Sequence, residues 1–168
     1  MTSWVRSRIG VGVLVPMMLG VVGCRQPDGE IPPPTEEQMN QIGDIARDLQ
    51  NVAAGRPKAR LELADDLYNL ADPSPPRDLA DRLSDALEAA LAGRALSEAA
   101  TRQVADLLFV VSRVRQLSER QIDQMANDLE AALVSAGANE DQARAAAAAA
   151  HEVQTTMTVN RRRWYELL

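Results

Sequence analysis

One cysteine, one histidine and one phenylalanine stand in a chain of 168 residues, and only 3% of it is aromatic. The single cysteine excludes an internal disulfide framework. The single histidine, His151, excludes a multi-histidine metal site within one chain, and no glycine-rich phosphate loop, nucleophile elbow or paired buried acid is legible. Alternating Val, Ile, Thr and aromatic runs between tight turns are lacking as well, which argues against a sheet. With so few rings, a core must be packed from Leu, Ile, Val, Met and Ala. Ala, Leu, Glu, Gln and Arg, all strong helix formers, dominate the chain after residue 35. The expectation is an all-α protein without an enzymatic site, metal or resident cofactor.

What is present supports one domain. The 46% apolar content is enough for a core at this length. Arg6 and Arg8 are the only charged residues before position 24, and the rest of the chain carries 16 basic residues against 24 acidic ones. An acidic domain of this kind repels nucleic acid, so no nucleic-acid partner is expected.

The first 23 residues follow the order of a secretory signal: a short segment with Arg6 and Arg8, an apolar stretch from Ile9 to Val22, then small residues. The stretch is shorter than the ~20 residues of a spanning helix, and Gly10, Gly12, Pro16 and Gly20 interrupt it. Val21-Val22-Gly23-Cys24 resembles the lipobox of bacterial lipoproteins, with Val21 in place of the commoner Leu. The resemblance implies cleavage by signal peptidase II before Cys24 and diacylglycerol and N-acyl chains on that cysteine, the only attached group expected. It also implies a place in the cell envelope, and in a Gram-negative cell the outer membrane facing the periplasm, because Arg25 rather than Asp follows the cysteine. Several acyl chains anchor stably without a spanning helix. Residues 25–34, RQPDGEIPPP, read as an extended tether. The chain thus divides into 1–23 (signal), 24–34 (lipidated cysteine and tether) and 35–168 (helical domain).

Thr35 with Gln38, Ser118 with Gln121, and Asn139 with Gln142 each have capping-box spacing and predict three helix starts; Ser74 and Ser97 predict two more. Leu117 and Ile122 suit a hydrophobic staple around Ser118, and Gly55, Gly93 and Gly137 fall where helices should stop. Between these marks apolar residues recur at helical spacing. The stripes run Met39, Ile42, Ala46, Leu49, Ala53; Leu63, Leu67, Leu70; Leu79, Leu83, Leu87, Leu91; Val104, Leu107, Leu108, Val111; and Ile122, Met125, Leu129, Leu133. Phe109 and Val110 widen the fourth stripe, so that helix is expected to be the most buried. A sixth helix starts at Glu140 and runs through Ala145–Ala150, with a bend or break expected near Thr155–Val159. Asp85–Leu91 matches Asn127–Leu133 at a spacing of 42, and Leu63–Tyr68 resembles Val104–Phe109 at 41. About six amphipathic helices, arranged as a helical bundle or a short solenoid of three αα-hairpins, are expected.

Three features bear on function. Carboxylates at spacings of three and four (Asp44 and Asp48; Glu62, Asp65 and Asp66; Asp78, Asp81 and Asp85) read as a solvated face opposite the leucines, and His151 reads as a solvent-facing helix residue. Arg161-Arg162-Arg163-Trp164-Tyr165 is the one basic and aromatic cluster, a candidate contact surface for lipid headgroups or an acidic partner protein, or else a helix end docked on the body. Leu117-Ser118-Glu119-Arg120-Gln121 resembles the LTxxQ element of periplasmic helical stress proteins and metal-responsive regulators, with Ser in place of Thr. That resemblance implies, as the alternative, a stress chaperone or metal-responsive protein. The leading expectation is an envelope lipoprotein, anchored to the membrane through its lipid, that acts as an interaction or structural module for a protein partner.

Overall fold

A computed structural model of the chain describes residues 35–70, 74–113 and 117–165; the side chains of 112–113 and 159–165 lie outside the description. The chain divides into two units, Met1–Pro33 and Pro34–Leu168, and only the second contains described residues. These form six helices: α1 (Glu36–Ala53), α2 (Ala59–Leu70), α3 (Arg77–Leu91), α4 (Glu98–Arg113), α5 (Glu119–Ser135) and α6 (Glu140–Tyr165). No helix among the described residues is long and apolar enough to cross a membrane.

The helix starts follow local chemistry. Thr35 Oγ1 accepts from the Gln38 N–H at 3.3 Å, and Gln38 Oε1 accepts from the Thr35 N–H at 2.8 Å, a complete capping box. Gln121 Oε1 likewise accepts from the Ser118 N–H at 2.9 Å, with Leu117 and Ile122 both buried at that helix entry. Ser97 Oγ caps α4 through the Ala100 N–H at 3.2 Å. Two starts differ from expectation. Asn139 Oδ1 accepts from the Asp141 N–H at 2.9 Å, which caps α6 through the second residue of its first turn. The start of α3 falls at Arg77 rather than just after Ser74, because each proline disfavours helical geometry in the residue before it, and Pro76 takes the cap position without a side-chain bond. The start of α2, unmarked by any cap residue, follows Lys58 at φ 72°, whose carbonyl accepts from Leu61 and Glu62 at 2.8 and 3.0 Å. Helix α6 continues unbroken through Thr155–Val159; Val153 and Met157 are buried there, and their packing outweighs the threonines' weak propensity.

The burial pattern repeats three times. In the first helix of each pair, Ile42, Ile45, Leu49, Val52 and Ala53 of α1 correspond to Ala80, Leu83, Leu87, Ala90 and Leu91 of α3 and to Ile122, Met125, Leu129, Ala132 and Leu133 of α5, all buried. In the second helix, Leu63, Ala64, Leu67 and Leu70 of α2 correspond to Val104, Ala105, Leu108 and Val111 of α4 and to Ala146, Ala147, Ala150 and Val153 of α6. Three αα-hairpins therefore share one register.

They do not stack as a linear solenoid. The hairpin mates α1 and α2 pack together, as do α5 and α6, but the main neighbours of α3 are α6 and α2, and those of α4 are α1 and α5, with α2 and α6 beside it. Helix α4 touches four others and is the centre of a bundle, although Phe109 and Val110 are only half-buried. The turns account for the difference. After α1 and α5 the chain closes a Schellman turn: the Gly55 N–H reaches the Val52 carbonyl at 2.9 Å and the Arg56 N–H the Asn51 carbonyl at 3.0 Å, and Gly137 and Ala138 repeat this. After α3, Ala92 turns extended at ψ 129°, and the Gly93 N–H donates instead to the Ala53 carbonyl at the end of α1, at 2.9 Å. The middle hairpin is open, and each arm lies on a neighbouring hairpin.

Gly55 holds φ +66°, and nothing lies within 4 Å of where a Cβ would stand, so Gly55→Ala isolates the backbone cost. It is expected to lower stability by about 1 kcal/mol, seen as a lower urea midpoint with an unchanged slope.

Candidate functional site

Buried polar groups identify where this core departs from simple packing. Among the described residues four polar side chains lie inside: Asp48, Ser84, Thr101 and Gln154. Two are locally satisfied, Ser84 Oγ donating to the Arg60 carbonyl at 2.6 Å across the α2–α3 seam and Thr101 Oγ1 to the Ser97 carbonyl at 2.9 Å. Gln154 donates weakly through Nε2 to the Val110 carbonyl at 3.4 Å, and its Oε1 has no donor.

Asp48 is of a different kind. It stands on α1, 4% exposed, at the seam with α2, where its carboxyl is hydrogen-bonded to that of Asp66. Its nearest guanidinium, on Arg47, keeps Nε 3.9 Å away and gives its short contact, 2.9 Å, to Asp44. Burial, first of all, and then the hydrogen bond and charge of Asp66 push Asp48 up to about 7. Asp66, half-buried, is also raised by burial, while its hydrogen bond from Asp48 pulls the other way. The two carboxyls thus titrate as a pair, and the pair keeps a proton that two solvated carboxylates would lose. Beside it opens a cleft of about 100 Å³ lined by Gln41, Asp44, Asp66, Asn69 and Leu70, roomy enough for water. Gln41 Oε1 is buried nearby with no hydrogen-bond donor.

This pair corrects the expectation that the carboxylates form a solvated face and that no paired buried acid exists. The signal was present. Asp48 lies three residues after Ile45 and four before Val52, and Asp66 three after Leu63 and four before Leu70, so each falls inside its apolar stripe. The other carboxylates behave as expected and carry the ion pairs of the surface. Arg60 bridges α2 to Asp85 of α3 at 2.7 Å, Arg77 bridges α3 to Asp65 of α2 at 2.6 Å while lying over the Tyr68 ring, and Arg82 reaches Glu152 of α6 at 2.9 Å. Exposed pairs of this sort are screened by water and salt and contribute little to stability.

His151 is half-buried at the α5–α6 edge rather than freely solvated, its Nε2 3.1 Å from Asp123 Oδ1 and its Nδ1 3.5 Å from Thr155 Oγ1. The order hydroxyl, imidazole, carboxylate is that of a hydrolytic triad. However, Thr155 sits inside α6, where backbone N–H groups are spent on the helix and offer nothing to a developing oxyanion. The arrangement serves as an interhelical contact. No group of three or more His, Cys, Asp or Glu suited to a metal ion occurs among the described residues.

Val21, Val22, Gly23 and Cys24 lie outside the described residues. Arg161, Arg162, Arg163, Trp164 and Tyr165 occupy the last turns of α6, with their side chains outside the description. Leu117–Gln121 folds as a cap with a buried apolar flank, a role that by itself accounts for those residue types. No family model matches the chain, and no characterised protein and no solved structure matches it either.

Proposed function

We propose that this chain is a lipid-anchored protein of the bacterial cell envelope whose helical bundle works by holding a protein partner near the membrane rather than by turning over a substrate. The observation that carries the reading is the order of segments: an arginine-flanked apolar stretch, Val21-Val22-Gly23-Cys24, ten tether residues rich in proline, and then the first helix cap at Thr35. Two or more acyl chains on Cys24 would hold the chain on the bilayer, and the tether at ~3 Å per residue would let the bundle stand up to ~30 Å above it. The surface of the bundle, laced with arginine–carboxylate bridges, and the Arg161–Tyr165 run supply polar and aromatic contact groups.

Metabolic labelling with palmitate, followed by fractionation, tests the anchor. The wild-type chain is expected to take label and sediment with membranes, and Cys24→Ser to take none and to lose membrane retention through lipid. An unlabelled wild-type chain would overturn the reading. Crosslinking in cells then tests the module: a discrete envelope partner captured by the wild type and lost from Cys24→Ser supports it, whereas a broad population of unfolded proteins would favour the stress-chaperone alternative implied by Leu117–Gln121.

A further inference from the structure

The fold does not require acids where Asp48 and Asp66 stand. In the shared register Asp48 corresponds to Ala86 of α3 and Asp128 of α5, and Asp66 to Leu107 of α4 and Ala149 of α6. Ala86, Leu107 and Ala149 are half-buried against the core, and Asp128 points outward to accept from Gln124 Nε2 at 2.8 Å. The same positions are thus filled elsewhere in this chain by apolar residues or by a solvated acid. Only between α1 and α2 do two carboxyls meet, one of them 4% exposed. Burying a carboxyl costs desolvation that an apolar side chain would not, so the pair serves some role other than packing.

The surroundings make that role sensitive to protons. On α1 the facing charged groups are Asp44 and Arg47, and on α2 they are Glu62 and Asp65; of these only Arg47 is a cation, and Asp44 engages it at 2.9 Å. Helix α3 presents Asp85 and Glu88 to the outer edge of α2, where Arg60 takes both at 2.7 and 4.0 Å. Helix α4 presents Arg102 to the first turn of α1, where it pairs with its own Asp106 at 3.2 Å and meets Met39 Sδ at 3.5 Å. Arg77 of α3 is engaged by Asp65 and Asp81 at 2.6 and 3.3 Å, so among the described residues Arg47, 3.9 Å from Asp48 and shared with Asp44, is the one cation within 4 Å of the pair. Once both carboxyls ionise, two like charges share a half-closed seam, and the adjoining cleft admits the water they need.

We propose that Asp48 and Asp66 form a proton-dependent latch between α1 and α2, closed while the pair holds one proton and loosened when the pair loses it. Helix α1 is the element the chain enters directly from residue 34, so the latch acts on the first helix after the tether segment. The direction follows from linkage. A carboxyl that holds its proton more tightly folded than unfolded contributes stability that is complete below the ordinary carboxylate range, near pH 4, and is lost as pH rises to about 7.

Amide exchange of the full chain at pH 5.5 and pH 8, corrected for intrinsic rates, tests the latch. Amides of α1 and α2 around Asp48 and Asp66 are expected to exchange roughly tenfold faster at pH 8, and those of α5 to change little. Asp48→Asn, which donates to Asp66 without a titrating proton, should remove the difference by keeping α1 and α2 protected at both values. Equal protection of the wild type at the two pH values would overturn the proposal, and so would an unchanged pH difference in Asp48→Asn. Should Asp48→Asn fail to fold, carbon-13 titration of aspartate carboxyls in the wild type decides: a buried carboxyl titrating near neutrality supports the latch, and all carboxyls titrating below pH 5 overturn it.

Discussion

Leu87→Ala is expected to lower the unfolding free energy by about 3–5 kcal/mol, a large share of what a domain of this size possesses. Leu87 is fully buried at the centre of α3, and Leu49 and Leu129, its equivalents in α1 and α5, are equally buried. Truncation removes three carbons and leaves a cavity that neighbours held by their own helices cannot fill. Because α3 packs on α6, α2 and α1, the cavity opens among helices of both outer hairpins. Urea denaturation followed by helical circular dichroism checks the prediction, with the midpoint falling at unchanged slope. A cost under about 1 kcal/mol would mean that the centre of the bundle collapses around the gap, at odds with close packing there.

Ala150→Leu is expected to cost about 3 kcal/mol, whereas Ala148→Leu, two residues away, should change stability by less than about 0.5 kcal/mol. Residues 145–150 are all alanine, so composition gives no reason to separate them. Burial does: Ala146 and Ala150 are fully buried and Ala147 nearly so, while Ala145 and Ala148 are exposed. The buried alanines lie on the face of α6 that packs against α3 and α5, and a leucine there adds three carbons to a space already filled. Thermal unfolding of the two variants side by side checks the contrast. Equal losses would place α6 on the bundle in a different rotation.

The sequence made the helices legible because their information is local. Caps at Thr35, Ser97 and Ser118 and stops at Gly55 and Gly137 act within a few residues, and the leucine stripes show which face turns inward. Spacings of 41 and 42 between matching segments foreshadowed the shared register of the hairpins. Two features depend on partners distant in sequence and escaped that reading. Ala92 and Gly93 resemble the other helix ends, yet the Gly93 N–H is claimed by Ala53, 40 residues earlier, and the middle hairpin opens. Asp48 and Asp66 each occupy an inward position of their own helix, but what makes them a site is that the two helices meet there. Periodicity can mark a buried acid; it cannot say that the residue facing it is another acid.

The open middle hairpin also bears on the order in which the protein can be made. A linear array of hairpins can fold piece by piece as each pair is completed, but here α1 needs α4 and α3 needs α6. A growing chain that has finished α3 still lacks α4, a main neighbour of α1, and α6, a main neighbour of α3, and the alanine face of α6 is made only at the far end. The bundle is therefore completed only when nearly all of the chain is out, so its folding waits on the last helix rather than on the first pair.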